Sequence, residues 1–182
     1  VWRTYPGGRT LDRLAGATAP ADSHMAEDWI ASTTRAVNRG REEIAEGVSH
    51  VHIGFDPAPR NFAELLASDP EYFLGAAHAK SHGAQPQLLV KFLDSGTRLH
   101  FQVHPTRDFA QRVLGAPSGK TEAYYVLGIR PNSGLPSSNS DKDASSGSIF
   151  VGFQRPPTPD QLRDYIITQN IAAIEACFDP IA

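Results

Sequence analysis

Residues 87–104 read QLLVKFLDSGTRLHFQVH, and this stretch decides the predicted fold. Its two runs, Gln87–Asp94 and Arg98–His104, flank a Ser-Gly-Thr turn, and the second run strictly alternates polar and apolar residues. Such a pattern is typical of a β-hairpin. Thr121–Ile129 and Ser148–Phe153 are rich in β-branched and aromatic residues, which favour strands, so they are predicted as a third and a fourth strand. The centre of the chain therefore predicts a mainly β fold.

Shorter elements are predicted around these strands. Met25–Ser32 favours a short strand, and Gly47–Phe55 favours a strand or an ordered loop. Asn61–Ala79 predicts two short helices rather than one, because Asp69-Pro70 interrupts the apolar pattern. Residues 132–147 are dominated by Ser, Asn, Asp and Gly, and this composition predicts an exposed loop.

A further helix is predicted near the C-terminal end of the sequence. It follows Pro156-Pro157, with Thr158 as its N-cap and Pro159 in its first turn. Its apolar stripe consists of Leu162, Tyr165, Ile166, Ile171 and Ile174.

The composition fits a single domain and excludes several classes of protein. The chain has 182 residues, a net charge of -3 and a pI near 6.2, so it has no basic excess to bind a nucleic-acid backbone. Cys177 is its only cysteine, which excludes an internal disulfide framework and fits a reducing cytoplasm. No apolar run approaches the ~20 residues of a membrane span. We therefore expect a cytoplasmic protein with no membrane or nucleic-acid partner.

Candidate metal ligands lie on the polar faces of the second and third predicted strands. Because alternate residues of a strand share a face, Gln102 and His104 project side by side, as do Lys120 and Glu122. An imidazole, an amide oxygen and a carboxylate can together hold a divalent metal, here with an ammonium beside them. On spacing alone, the alternative is an ordinary histidine at a strand end and a solvated strand carboxylate.

Two other histidine pairs compete with this set. His50 and His52 are two residues apart in a possible strand. His78 and His82 are four residues apart, which places them on one helix face at a common zinc-ligand spacing. No glutamate follows His78, so the sequence has no His-Glu-x-x-His protease motif, and Ser81-His82-Gly83 is typical of a helix end. The alternative for both pairs is that they are solvated or capping histidines.

Three segments resemble, in order, the type I phosphomannose isomerases. They are Gln87–Asp94, then Gln102-Val103-His104-Pro105, then Gly119-Lys120-Thr121-Glu122 followed by an aromatic strand. Weaker similarities extend to Trp2 with Gly7-Gly8, to the Glu-Asp-Trp stretch at 27–29 and to the predicted helical segment at 62–75. The resemblance thus covers nearly the whole chain apart from residues 132–147.

This resemblance implies a mainly β cupin jelly-roll with peripheral α-helices, residues 1–182 being its N-terminal cupin region. It implies that Gln102, His104 and Glu122 are three of four ligands of one Zn²⁺ per chain, and that Lys120 is a catalytic residue near the substrate. The family's fourth ligand is a histidine in a later strand, but no histidine follows His104 here. Since the sequence also begins at Val1 without an initiator methionine, we expect a piece of a longer enzyme, with the fourth ligand beyond residue 182 and the barrel incomplete.

The implied activity is that of a mannose-6-phosphate isomerase, an aldose-ketose isomerase whose small-molecule partner is a sugar phosphate. It interconverts mannose 6-phosphate and fructose 6-phosphate by zinc-assisted proton transfer through an enediol. One alternative is a non-catalytic or truncated cupin that binds metal or sugar. Another metal cupin enzyme, such as an oxygenase, is disfavoured because Gln102 replaces a histidine. Neither the general base nor the oligomeric state follows from the sequence, and we expect weak or no isomerase activity from this polypeptide alone.

Overall fold

The computed structural model describes residues 1–130 and 148–181, which belong to two compact units divided between Val103 and His104. The first unit contains α1 (Arg9–Leu14), β1 (Glu27–Ile30), β2 (His50–Val51), β3 (Arg60–Asn61), α2 (Phe62–Ser68), α3 (Pro70–Leu74), α4 (Ala76–His82) and β4 (Val90–Leu93). The second unit contains α5 (Arg107–Phe109), a π-helical turn (Ala110–Leu114), α6 (Pro159–Ile167) and α7 (Ile171–Glu175).

Two small antiparallel sheets organise the first unit. β1 pairs with β4, with Glu27 opposite Leu93 and Ile30 opposite Val90. β2 pairs with β3 over two residues each. The short strand predicted within residues 25–32 is confirmed by β1, whereas the strand predicted at 87–94 shrinks to β4 and pairs with β1 rather than with the run that follows it.

The helices after β3 begin and end where the sequence places a cap or a breaker. Asp69 separates α2 from α3, and its side chain accepts a hydrogen bond from the Tyr72 backbone N–H at 3.1 Å. Pro70 occupies the first turn of α3, where its missing N–H costs nothing. The predicted break at Asp69-Pro70 is therefore confirmed. A second break at Gly75, whose φ of 84° is left-handed, was not predicted and separates α3 from α4.

A buried carboxylate lies at the centre of the first unit. Glu27 is 4% exposed and accepts hydrogen bonds from Tyr5 Oη and Trp29 Nε1, both at 2.7 Å. Arg3 and Lys91 lie within 2.7 Å and 3.3 Å of the same carboxylate. Burial alone would raise the pKa of Glu27, but the hydrogen bonds from Arg3, Trp29 and Tyr5 and the charge of Lys91 lower it to about 2. This charged cluster ties the N-terminal segment to both strands of the larger sheet.

The predicted start of the C-terminal helix is confirmed, but the helix is shorter than predicted. Thr158 and Gln161 form a reciprocal capping box at the beginning of α6. The helix ends at Ile167, and Gln169 adopts a left-handed φ of 52° before α7 begins at Ile171. The predicted apolar stripe is therefore divided between two helices.

The expectation of a mainly β cupin jelly-roll with peripheral helices is wrong. The described residues contain four strands in two separate two-stranded sheets, and residues 98–104 and 121–129 form no strand. Within 148–153 there is a single bridge, from Ile149 to Ile181. A strand pattern describes a chain that fits a sheet, and the strand forms only where another backbone pairs with it. Without such a ladder Tyr125 and Leu127 stay 88% and 72% exposed.

The loop predicted at 132–147 lies outside the described residues. In the part of the chain that is described, no helix is both long enough and apolar enough to span a membrane.

Candidate metal-binding site

His104 and Glu122, which are 18 residues apart, are brought together by a close crossing of two backbone segments in the second unit. The backbone N–H of Lys120 donates to the carbonyl oxygen of Pro105 at 3.0 Å. Gly119 permits this approach, since a Cβ added there would lie 2.5 Å from the Pro105 oxygen. The segment Gly119–Glu122 therefore runs directly alongside His104 and Pro105.

The crossing is supported by the start of α5. Thr106, immediately after Pro105, caps this helix by accepting a hydrogen bond from the Phe109 backbone N–H at 3.3 Å. A Cβ on Gly119 would also lie 2.7 Å from the backbone nitrogen of Arg107, so the glycine packs against the first turn of α5. Thr106 and Gly119 thus have local structural roles, Thr106 as the N-cap of α5 and Gly119 as the residue without a Cβ that permits the crossing.

Two cationic or potentially cationic groups converge on one oxygen of Glu122. The imidazole Nε2 of His104 is in direct contact with Glu122 Oε2. Lys120 Nζ lies 3.4 Å from the same oxygen. The side chain of Glu122 is 13% exposed, that of His104 28% and that of Lys120 49%. The carboxylate is thus largely shielded, while the ammonium can still reach solvent.

The donor set of this cluster fits zinc in its chemistry. A histidine nitrogen and a carboxylate oxygen are common zinc ligands, and here they already face each other. Among the described residues, no group of three or more His, Cys, Asp or Glu side chains is placed to hold a metal ion.

The predicted site residues are thus placed as follows. His104, Lys120 and Glu122 are adjacent in the second unit, although through a backbone crossing and not through the paired strands on which their proximity was predicted. Gln102 is exposed and belongs to the first unit, so its place in the ligand set stays a prediction. The signal that identified the cluster was the pair of two-residue spacings, together with the resemblance.

The competing histidine pairs differ in structure. His50 lies in β2 and His52 just after it, both exposed. His78 and His82 lie on α4 with ring centroids 4.8 Å apart. The predicted helix end at Ser81-His82-Gly83 is confirmed, because α4 ends at His82 and Gly83 follows with a φ of 61°.

The buried Glu27 cluster was missed by sequence reasoning. Its members, Arg3, Glu27 and Lys91, are separated by up to 88 positions, so no local spacing connects them. Comparison with known proteins adds no further assignment: no protein-family model, no curated protein and no solved structure matches this chain.

Proposed function

We propose that this chain is a zinc-dependent mannose-6-phosphate isomerase in which His104 and Glu122 hold the metal, Gln102 adds a third ligand and Lys120 faces the substrate. The observation that carries the proposal is the convergence of His104 Nε2 and Lys120 Nζ on one oxygen of Glu122. The reaction itself is proposed from the resemblance of Gln-Val-His-Pro and Gly-Lys-Thr-Glu to the type I phosphomannose isomerases.

The reaction moves a proton between C1 and C2 of the open-chain sugar, and negative charge develops on the neighbouring oxygens. When bound, zinc would act as a Lewis acid towards that charge. Lys120 supplies a fixed positive charge at the same place, because Glu122 holds its ammonium at 3.4 Å while about half of the side chain stays in contact with solvent. It can therefore donate a hydrogen bond to a sugar or phosphate oxygen that arrives from solvent.

Zinc content is the first test. The full chain is loaded with zinc, dialysed and measured by elemental analysis, alongside His104→Ala, Glu122→Gln and the control His50→Ala, which removes an exposed histidine of the first unit. We expect about one zinc per chain in the wild type and the control, and a loss of bound zinc in the two site variants. Unchanged zinc content in Glu122→Gln would refute the ligand assignment.

Catalysis is tested separately on the zinc-loaded chain. Release of fructose 6-phosphate from mannose 6-phosphate measures turnover, and incorporation of solvent deuterium at C1 or C2 detects proton transfer even when net turnover is slow. Net turnover is expected to be weak or absent, so the decisive readout is zinc-dependent deuterium incorporation, which should be lost in Lys120→Ala. If the loaded chain shows neither turnover nor exchange, the isomerase proposal is wrong.

A second candidate is a non-catalytic protein that binds metal or a sugar. It is favoured by the openness of the site, because proton transfer at carbon profits from the exclusion of water, whereas the ammonium of Lys120 is half exposed. Zinc binding that depends on His104 and Glu122, without any deuterium exchange, would select this candidate.

A further inference from the structure

The short helix α4 carries two histidines on one face. His78 and His82 are one helical turn apart, and their ring centroids lie 4.8 Å apart with an angle of 49° between the ring planes. His82 is exposed and His78 is half-buried, so the pair is open to solvent on one side. Two imidazoles at this spacing can both direct a nitrogen at one ion.

His78 is held by a hydrogen bond that defines which of its nitrogens is available. Its Nε2 lies 2.8 Å from the carbonyl oxygen of Gln85. A carbonyl oxygen only accepts hydrogen bonds, so Nε2 carries the hydrogen, and in the neutral ring Nδ1 keeps its lone pair. Histidines that ligate metals in proteins typically donate their other ring N–H to a carboxylate or a backbone carbonyl, which fixes the ring and raises its basicity.

The turn that supplies this carbonyl is folded back onto the helix by its own backbone. Gly83, with a left-handed φ of 61°, donates its N–H to the Ala79 carbonyl at 2.8 Å. The backbone N–H of Gln85 donates to the carbonyl of His82 at 3.2 Å. The carbonyl of Gln85 is thus held in position by bonds that do not involve either imidazole, and the orientation of His78 is set before any ion binds.

The chemistry of the donors selects the class of ion. Among the described residues, no third His, Cys, Asp or Glu joins this pair to form a metal-binding group. The donors that the pair itself offers are two imidazole nitrogens. Imidazole suits Cu²⁺, Ni²⁺ and Zn²⁺, whereas Mg²⁺ and Ca²⁺ require oxygen ligands. For a given site, affinity rises to Cu²⁺ and falls again at Zn²⁺.

We propose that His78 and His82 form a metal site, separate from the cluster at His104, that binds a divalent transition metal through two imidazoles and water. Cu²⁺ binds it more tightly than Zn²⁺, and Mg²⁺ does not bind. The backbone carbonyl of Gln85 orients His78 and does not contact the ion.

The test titrates the full chain with Cu²⁺, Zn²⁺ or Mg²⁺ alone, by calorimetry at pH 7.5. His104→Ala is the reference protein, because it removes an imidazole of the first site, to which Cu²⁺ would otherwise also bind. In that protein we introduce His78→Ala, His82→Ala or the matched control His52→Ala, which also removes one exposed imidazole of the first unit. We expect His78→Ala and His82→Ala each to weaken Cu²⁺ binding at least about tenfold relative to the reference, since loss of even an outer hydrogen-bond partner of a ligand costs ~10–100-fold. His52→Ala should keep the site, and since His104 is absent from every protein compared, the result does not depend on the proposed function.

A second readout locates the ion without relying on affinity. In the His104→Ala reference protein, substoichiometric Cu²⁺ should broaden the ring proton signals of His78 and His82 in NMR spectra before those of His50 and His52. Equal Cu²⁺ affinity of the reference with and without His82→Ala, broadening that spreads evenly over all histidines, or Zn²⁺ binding tighter than Cu²⁺ would each overturn the proposal.

Discussion

The two units of the molecule each contain a carboxylate that pairs with a lysine, and the two carboxylates differ in how completely they are enclosed. Glu27 is 4% exposed, accepts hydrogen bonds from Tyr5 and Trp29, and forms ion pairs with Arg3 and Lys91. Of these partners, Arg3, Tyr5 and Lys91 come from distant positions in the sequence. Glu122 is met by His104 and by Lys120, whose side chain is about half exposed. A buried carboxylate with as many donors as Glu27 stabilises the fold. Glu122 contacts an imidazole and a partly exposed ammonium, so it can exchange one of these partners for a ligand.

The largest expected effect comes from removing the enclosed carboxylate. Glu27→Ala leaves Arg3 and Lys91 without their shared partner and deprives Tyr5 and Trp29 of their acceptor. We expect the free energy of unfolding to fall by about 3–5 kcal/mol, the usual cost of breaking a buried charge pair. Urea denaturation measures it, with exposed Glu43→Ala as the control, which should stay within ~0.5 kcal/mol of the wild type.

The same carboxylate predicts how stability depends on pH. The pKa of Glu27 is lowered from 4.5 to about 2, so the folded state binds its proton less readily than the unfolded state. The stabilisation is complete above pH 4.5 and is lost as the pH falls towards 2, amounting to about 3 kcal/mol at neutral pH. The difference in stability between wild type and Glu27→Gln should therefore shrink over this window. A difference that stays constant from pH 6 to pH 2.5 would contradict the role given to Glu27.

A smaller effect is expected at the crossing that forms the second cluster. Gly119→Ala would place a Cβ 2.5 Å from the Pro105 oxygen, so one backbone must move away. We expect a loss of about 1–3 kcal/mol in stability, typical of overpacking, together with weaker zinc binding because Glu122 moves with the segment. Gly128→Ala is the matched control, because its Cβ meets nothing within 4 Å. Equal zinc affinity in the two glycine variants would show that the crossing does not position Glu122.

The smallest effect on stability is expected at Lys120. Because its side chain is 49% exposed, the ion pair with Glu122 contributes less than ~1 kcal/mol, and Lys120→Ala should unfold nearly as the wild type does. The same variant should lose the zinc-dependent deuterium exchange. Exchange at the wild-type rate in Lys120→Ala would remove this residue from the proposed catalytic role.

Local signals in the sequence predicted local structure well. Asp69-Pro70 marked a real helix boundary, and Thr158 capped α6, because a cap or a proline acts on its own turn. The strands predicted at 98–104 from alternation and at 121–129 from β-branched and aromatic residues are wrong, because neither signal carries information about which backbone will pair with the segment. The proximity of His104 and Glu122 was predicted from two strands that do not form. Its physical cause is the close approach of Gly119 to Pro105, and no spacing in the sequence reveals that contact.

His104 and Glu122 are proposed to hold a metal, whereas Glu27 is expected to stabilise the fold. Zinc affinity, measured by competition with a chromophoric chelator, tests the proposed metal binding most directly on wild type, His104→Ala, Glu122→Gln and His50→Ala. We predict that the two site variants bind zinc at least about tenfold more weakly than the wild type and His50→Ala. Equal affinity in all four proteins would contradict the claim and leave the His104–Glu122 contact as a structural ion pair.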